Sequence, residues 1–276
     1  MVYKVFATTV LATLLATGAY AGNVVSGAQA AAQGTTAATT KAVPEGSLVS
    51  KIMGAAVYNG TTDNAEEIGE VNDIVLSTDG KAQLLIIGVG GFLGAGEKNV
   101  AYDFNKAQWA EKDGKRWLVV NTTKDDLKAQ PDFDTMPYDA SASTGSNDPT
   151  ALTAPASSTA AVDKSALMEM PMDKIRAEDL ISTTVYGVND AKVGTIGDVV
   201  LTGDKKVDAV IIDVGGFLGI GAKEVAVGFD KLKFMTDKAG NKYLYTNFTK
   251  DQLTAQTAYD KGTYAQTRDK QRLIVQ

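Results

Sequence analysis

A glycine-rich stretch occurs twice in the sequence, as GVGGFLGAG from Gly88 and as DVGGFLGIG from Asp213. Glycines let backbone N–H groups approach a phosphate closely, so the first chemistry to test is nucleotide binding. The dinucleotide fingerprint requires G-x-G-x-x-G leading into a helix. Here the sixth position from Gly88 is Leu93, the second copy opens with an aspartate, and a strand-like segment follows each copy. The spacing therefore argues against a phosphate cradle.

Two interpretations of the glycine-rich stretches remain. In the first, the glycines turn or bulge the chain at a barrel corner, where positive φ or close backbone approach excludes a side chain. These predicted structural glycines are Gly90, Gly91, Gly94, Gly215, Gly216 and Gly219. In the second, the Phe-Leu pairs are apolar tips that join the two copies or bind a protein partner. The candidate partner-binding residues are Phe92, Leu93, Phe217 and Leu218.

Other residues offer little catalytic chemistry. The chain has no histidine and no cysteine, so it lacks the commonest general base, the usual zinc ligands and any disulfide. Acidic residues recur at equivalent positions, such as Asp73 and Asp198, but without the ligand ladder of a calcium loop. Lys98 and Lys223 also match between the copies, and we interpret them as surface charges or barrel-rim ion pairs. We predict no catalytic residue, no metal site and no cofactor.

Two tryptophans, Trp109 and Trp117, lie on successive predicted strands, where Phe234 and Tyr243 stand in the second copy. Packing in the core or at the barrel rim is the favoured interpretation, and stacking of a carbohydrate or another ligand is the alternative.

The N-terminal segment has the features of a secretory signal. Lys4 precedes an apolar run, and Ala19 and Ala21 form an Ala-x-Ala pattern that predicts a signal peptide over residues 1–21. We therefore expect an exported, periplasmic protein of the bacterial cell envelope. Membrane association is expected only if this segment stays uncleaved. The net charge of −6 argues against nucleic acid as a partner.

The rest of the chain is an internal duplication. Residues 69–104 align without a gap to residues 194–229, with 19 identities in 36 positions. We predict a disordered tether over 22–46, a first repeat over 47–137, a flexible linker over 138–165, a second repeat over 166–262 and a C-terminal tail over 263–276. Each repeat is small and leaves much surface unburied, so pairing of the two within the chain is expected.

Each repeat shows the pattern of short strands joined by regular turns, followed by one short helix. IGEVNDIVLS and KAQLLIIGVGG flank an Asp79-Gly80 turn and predict a hairpin, and the second repeat matches. Thr123 and Thr249 are predicted helix N-caps. This pattern favours a mainly β fold of two small tandem β-barrels, each with a short C-terminal helix, joined by a disordered linker.

The motifs of the two repeats resemble those of a known family. A strand ending in G-G-F-L-G-x-G, then a lysine and VAV, with an IG-x-x-x-D-V-V-L hairpin before it and a DQL helix after it, is similar to the PRC-barrel domain. That domain is named for the cytoplasmic part of the photosynthetic reaction centre H subunit, and a relative forms the C-terminal half of a ribosome maturation factor. Many members continue with proline and an aromatic residue, where this chain has Asp103-Phe104 and Gly228-Phe229.

The resemblance implies a partly open barrel and a role in assembly or docking without catalysis. The export signal argues against a direct photosynthetic role. We expect a non-catalytic scaffold or docking protein at the cell envelope, with an unidentified protein partner. The alternative is a periplasmic protein that binds a small ligand or a lipid in a cavity between the barrels.

Overall fold

The computed structural model describes most of the chain from Thr39 onward, and these residues all belong to one compact unit, residues 35–276. The described segments are 39–41, 44–62, 64–92, 95–112, 115–138, 167–170, 175–215, 221–230 and 232–274. The predicted signal peptide, and the predicted linker beyond Tyr138, lie outside them. No described helix is long and apolar enough to cross a membrane.

In the part of the chain that the structure describes, the first repeat and the segment before it contribute eight strands and one α-helix. They are β1 (Thr39–Lys41), β2 (Ser47–Leu48), β3 (Ala56–Tyr58), β4 (Glu67–Leu76), β5 (Ala82–Phe92), β6 (Ala95–Asp103), β7 (Gln108–Lys112), β8 (Lys115–Val119) and α1 (Lys124–Ala129). All but β2 form a sheet in the order β1-β7-β8-β3-β4-β5-β6. Short 3-10 turns occur at Val49–Lys51, Phe104–Lys106 and Met136–Tyr138.

The described residues of the second repeat and of the segment after it contribute eight strands and three α-helices. They are β9 (Met168–Glu169), α2 (Ala177–Leu180), β10 (Thr184–Tyr186), β11 (Lys192–Leu201), β12 (Val207–Val214), β13 (Lys223–Gly228), β14 (Lys233–Thr236), β15 (Lys242–Tyr245), α3 (Lys250–Ala255), α4 (Tyr264–Gln271) and β16 (Arg272–Leu273). Their order in the sheet is β16-β13-β12-β11-β10-β15-β14-β9, and β2 of the first repeat pairs with β11. A 3-10 turn covers Val188–Asp190.

The two repeats have the same pairing pattern. The β4–β5 and β11–β12 hairpins are antiparallel, and their turns close with Ser77 N–H donating to Lys81 O and Thr202 N–H donating to Lys206 O, each at 2.8 Å. In each repeat one short strand pairs in parallel with the last barrel strand, β3 with β8 and β10 with β15. The mainly β prediction and its hairpins are confirmed.

The predicted helix caps are also present. The Thr123 hydroxyl accepts from Asp126 N–H and the Thr249 hydroxyl accepts from Gln252 N–H, both at 3.1 Å. The Gln252 side chain accepts in return from Thr249 N–H, which completes a capping box in the second repeat.

The repeats exchange their N-terminal segments. Leu48 of β2 pairs with Val200 of the second repeat, and Arg176 bridges to Val75 of the first. The two hairpin turns also meet, because Ala82 N–H donates to Lys205 O and Val207 N–H donates to Gly80 O, both at 2.8 Å. These contacts are related by the internal duplication, so the repeats interlock with an approximate two-fold relation.

A hydrophobic cluster extends across both repeats. It contains fully buried side chains of the first repeat, such as Ile74 and Leu85, together with Val199 and Val210 of the second. Strand alternation explains the burial, because the β-branched residues of β4 and β11 that point inward meet those of β5 and β12. The main core of the described residues therefore belongs to both repeats together.

The structure changes two predicted boundaries. Residues 39–41 fall in the predicted tether, yet they form β1 and pair with β7, because β7 offers an open strand edge there. Residues 264–273 fall in the predicted tail, yet they form α4 and β16, and β16 pairs in parallel with β13. The tail lacks an apolar period, but its own Tyr264 is buried.

Candidate functional site

The first glycine-rich stretch forms the far end of a β-hairpin. Phe92 pairs with Ala95, so β5 and β6 continue almost to the tip. Gly90, Gly91 and Gly215 have φ values of +82°, +75° and +76°, a region that only glycine occupies readily. An added Cβ at Gly215 would meet nothing within 4 Å, so the backbone conformation, not crowding, requires glycine there. The remaining predicted residues of the two stretches lie outside the described residues: Leu93, Gly94, Gly216, Phe217, Leu218 and Gly219.

The matched lysines beside these stretches cap helices. Lys98 Nζ donates to Lys128 O at 2.8 Å, at the end of α1. Lys223 Nζ donates to Thr254 O at 2.6 Å and to Gln256 O at 2.5 Å, at the end of α3. Carbonyls at a helix C-terminus lack intrahelical partners and favour a cation. Both lysines therefore fix the C-terminal helix against the base of the neighbouring hairpin.

The repeated carboxylates of the turns bind their own loops. Asp79 accepts from the Ser77 hydroxyl and Asp204 from the Thr202 hydroxyl, and each contact lowers the pKa of the acceptor carboxyl. Among the described residues no three acidic side chains come together as a metal site. These aspartates stabilise turns.

Asp73 and Asp198 lie where the repeats interlock. Asp73 Oδ1 accepts from the N–H of Ile74 at 2.7 Å and from the N–H of Glu178 of α2 at 3.2 Å. Asp198 accepts from Ser50 N–H at 3.1 Å and from the Ser50 hydroxyl. Each aspartate therefore caps the short helical segment of the other repeat. Burial raises the pKa of Asp73 to about 6, even though Arg176 lies 3.7 Å from Oδ2.

Two grooves lie at equivalent places in the repeats. The first groove has a volume of about 480 Å³ and is lined by residues 44–48, Lys51, Ile52, residues 54–56, Trp109, Arg116 and Lys261. The second groove has a volume of about 420 Å³ and is lined by Glu178, Asp179, residues 181–184 and residues 241–243. Lys261 belongs to the second repeat, so the first groove is bordered by both repeats.

The tryptophans occupy two different environments. Trp109 is 5% exposed, and the Arg116 guanidinium lies 4.8 Å from its ring centroid. Trp117 is half-buried and packs on Tyr58, with ring centroids 5.4 Å apart. The favoured packing interpretation fits both, although the indole N–H groups of both residues are buried without a hydrogen-bond partner among the described residues.

Half-buried aromatic side chains form a row on the outer face of the second barrel and a pair at the equivalent place on the first. In the second repeat, Tyr186 stacks on Tyr245 at 5.5 Å and lies 5.9 Å from Tyr243. Val185 and Leu244, between these tyrosines, are fully buried, so strand alternation turns the tyrosines away from the core. Tyr58 and Trp117 are the equivalent pair in the first repeat. Sequence reasoning found Trp117 and Tyr243 but missed the row, because Tyr58 and Tyr186, which these residues contact, lie on strands distant in the sequence.

A buried polar cluster anchors the C-terminus. Asp208, only 6% exposed, accepts from the Tyr264 hydroxyl at 2.8 Å and pairs with Arg268 and Arg272. Burial and the Asp208 carboxylate raise the pKa of Tyr264. Sequence reasoning missed this cluster because Asp208 is far in the sequence from the residues that it contacts.

The comparisons with known proteins agree with the geometry. No curated protein matches the chain. The PRC-barrel domain family matches it twice, over residues 44–127 and residues 172–253, which together make up more than half of its length. The two matches coincide with the two interlocked sheets and confirm the resemblance read from the sequence. The chain therefore belongs to the PRC-barrel family, with two PRC-barrel domains in tandem.

Proposed function

We propose that this chain is a non-catalytic docking protein of the cell envelope, in which two interlocked PRC-barrel domains act as one rigid platform. The observation that carries the proposal is the aromatic row on the outer face of the second barrel, with its equivalent aromatic pair on the first. Tyrosine and tryptophan are enriched among residues that dominate binding energy in protein interfaces. A row that is half-exposed and mounted on paired strands loses little conformational entropy when a partner binds.

Photo-crosslinking tests the docking surface directly. A photoreactive phenylalanine analogue at Tyr186 should give a saturable cross-link to one envelope protein. The matched control carries the same analogue at Ile274, which is 58% exposed and lies outside the row. Added as an unlabelled competitor, the double variant Tyr186→Ala, Tyr243→Ala should fail to displace the partner from the cross-linking protein. Equal cross-linking patterns at positions 186 and 274 would contradict the proposal.

The tips of the glycine-rich stretches are a second part of the proposed surface. If Phe217 and Leu218 contact a partner, Phe217→Ala should weaken capture of the cross-linked protein with little change in melting temperature. If the ring is part of a core, the same substitution should cost about 3–5 kcal/mol of stability. Measuring both binding and thermal unfolding separates these outcomes.

Export rests on the N-terminal sequence alone. Sequencing of the N-terminus of protein purified from the periplasmic fraction should begin at Gly22. A retained Met1 in the membrane fraction would instead mean that the segment acts as an anchor, and recovery in the cytoplasm would contradict export.

Ligand binding is the second candidate function, and the first groove favours it. A volume of about 480 Å³ bordered by both repeats is large enough for a small molecule or a lipid headgroup. Thermal-shift measurements with envelope lipids and small metabolites should show stabilisation that grows with ligand concentration. A flat response across that set would remove this candidate.

A further inference from the structure

The two grooves are equivalent positions of the duplicated fold. Val57 pairs with Leu118 beside the first groove, and Val185 pairs with Leu244 beside the second. An equivalent backbone hydrogen bond lies beside each groove. Gly54 N–H donates to Val71 O at the first groove, and Ser182 N–H donates to Ile196 O at the second. This register places Lys51 at the position of Asp179 and Arg116 at the position of Lys242.

The second groove neutralises its own charges. The Asp179 carboxylate, with a side chain only 2% exposed, lies 3.3 Å from the Arg176 guanidinium and contacts the Lys242 ammonium. Arg176 also lies 3.5 Å from Glu178. A carboxylate of the chain itself therefore neutralises Lys242, the one cation among the described residues that line this groove.

The first groove is lined by three cations and lacks that carboxylate, because Lys51 stands at the position of Asp179. Lys51, Arg116 and Lys261 line it, and among the described residues none of them forms an ion pair with a carboxylate. Glu45 is the acidic residue of the lining, but it accepts from Gly203 N–H at 2.8 Å and pairs with Arg268 at 3.4 Å. Glu111 faces Arg116 across the β7–β8 ladder and does not line the groove.

Arg116 is held in position by the tryptophan beneath it. Its guanidinium lies 4.8 Å from the Trp109 ring centroid, and Trp109 is buried, so the ring is a fixed support. A stacked guanidinium keeps its N–H fork free for a carboxylate or a phosphate, which it can bind with two parallel hydrogen bonds. Three cations around one groove also focus a positive potential on a protein whose net charge is −6.

We propose that the first groove binds a small ligand through an oxyanion group, a carboxylate or a phosphate, which pairs with Arg116 as the Asp179 carboxylate pairs with Lys242 in the second groove. The proposal rests on the second candidate function, ligand binding, and names its chemistry. The ligand is either free in solution or is the headgroup of an anionic lipid, and the groove would recognise the same group in both.

Calorimetric titration of the full chain tests the proposal. Citrate and pyrophosphate serve as free oxyanions, and phosphatidylglycerol vesicles as the lipid source, with vesicles of digalactosyldiacylglycerol, which has no phosphate, as the neutral comparison. We expect saturable binding of at least one anionic probe at low ionic strength, weakened by high salt. Binding of the free anions alone identifies a soluble ligand, and binding of phosphatidylglycerol alone identifies a headgroup.

Substitutions locate the binding in the groove. Lys51→Asp installs the residue of the equivalent position in the second groove and should weaken binding at least about tenfold, as should Arg116→Gln. The matched control is Lys192→Asp, which makes the same charge change at an exposed lysine outside the groove and should leave affinity unchanged. Circular dichroism would show that all three variants are folded.

Three outcomes would overturn the proposal. Equal loss of binding in Lys51→Asp and Lys192→Asp would mean that only net charge matters. Binding of digalactosyldiacylglycerol with no response to any anionic probe would reject the oxyanion but keep ligand binding. No response to any probe, including the neutral vesicles, would count against both.

Discussion

Asp73 and Asp198 show how one duplicated residue acquires two environments. Both carboxylates cap the helical segment of the other repeat, but Asp73 is only 4% exposed and Asp198 is half-buried. The Asp73 carboxylate accepts from two backbone N–H groups, of Ile74 at 2.7 Å and of Glu178 in the capped helix at 3.2 Å, and both favour the ionised form. Desolvation outweighs them and raises the pKa of Asp73 to about 6.

This pKa predicts a specific pH dependence of stability. The pKa of Asp73 is about 6 in the folded chain against an ordinary value of 3.8. At a pH between these two values, the folded state therefore holds a proton that the unfolded state has lost. The contribution of Asp73 to stability falls as the pH rises from about 4 to about 6, and it is constant at higher pH. In Asp73→Asn that fall is absent, and the free energy of unfolding relative to wild type should rise across this window by on the order of 2–3 kcal/mol.

Urea unfolding at a series of pH values measures this difference. Asp73→Ala is the matched control, because it removes the same titration but leaves two N–H groups without an acceptor. It should lose the pH dependence too, and be less stable than Asp73→Asn by about 1–3 kcal/mol throughout. Parallel pH profiles for wild type and Asp73→Asn would show that the carboxyl is not desolvated in the folded chain.

A second prediction concerns Ser182, which has a φ of +69° where the first repeat has Gly54 at +74°. A non-glycine residue is strained in this region by about 1–2 kcal/mol, and glycine costs about 0.5–1 kcal/mol of extra chain entropy. Ser182→Gly should therefore stabilise the chain by up to about 1 kcal/mol, measured by chemical unfolding. The reciprocal change, Gly54→Ser, should destabilise it, and destabilisation by both would contradict the argument.

At the scale of elements, the strands were predictable because their signals are local. The β4–β5 and β11–β12 hairpins follow from β-branched runs of strand length that flank short turns. The exchange of N-terminal segments was not predictable. Its helical pieces, at 49–51 and 177–180, are too short to show a period, and their contacts lie more than a hundred residues away.

The charge difference between the grooves also could not be predicted from the sequence, because the residues that cause it lie outside the ungapped alignment of the repeats. The ungapped alignment of the repeats begins at Gly69, and Lys51 aligns with Asp179 only after a length change of three residues before that point. The candidate tip residues were easy to find in the sequence, because the duplicated glycines mark them. What those tips contact depends on residues beyond the described ranges.

The C-terminal element gives a prediction about local unfolding. Asp208 accepts from Tyr264 and from two arginines of α4 and β16, and the equivalent residue of the first repeat is the exposed Gln83. Asp208→Ala removes the shared acceptor and should lower the stability of the C-terminal element by about 3 kcal/mol or more. The destabilisation should be local, so the rate of amide hydrogen exchange should rise over residues 264–273 while β4 and β5 stay protected.

Glu45→Gln is the control for that experiment. Glu45 contacts Arg268 of the same cluster but is partly exposed, with 47% of its side chain accessible, so its loss should cost less than about 1 kcal/mol. Exchange that rises equally in both sheets of Asp208→Ala would mean that the C-terminal element is part of the global unfolding unit.

At the scale of the whole molecule, the repeats interlock by exchanging N-terminal segments. Leu48 and Val49 of the first repeat pack on the second, and Ile175 and Ala177 of the second are buried beside the first. Each fully buried aliphatic side chain contributes about 1.5–3 kcal/mol, so these segments represent a substantial part of the stability. Neither repeat alone can bury its own N-terminal segment in the way that the pair does.

The interlock predicts that the covalent connection between the repeats is dispensable for their association. A protease site inserted between Tyr138 and Leu167 leaves every described contact between the repeats intact. After cleavage, the two fragments should elute together in size-exclusion chromatography and separate only in denaturant. The melting temperature should become dependent on protein concentration, because unfolding now releases two chains.

A double variant, Asp73→Ala with Asp198→Ala, provides the control for the cleaved protein. It removes both carboxylate caps from the exchanged segments while leaving the linker site unchanged, so its fragments should separate at lower denaturant concentration. If the wild-type fragments separate on cleavage without denaturant, the repeats associate only because the linker holds them together. The aromatic row and its equivalent pair would then belong to two independent modules, and the single-platform form of the docking proposal would fail with them.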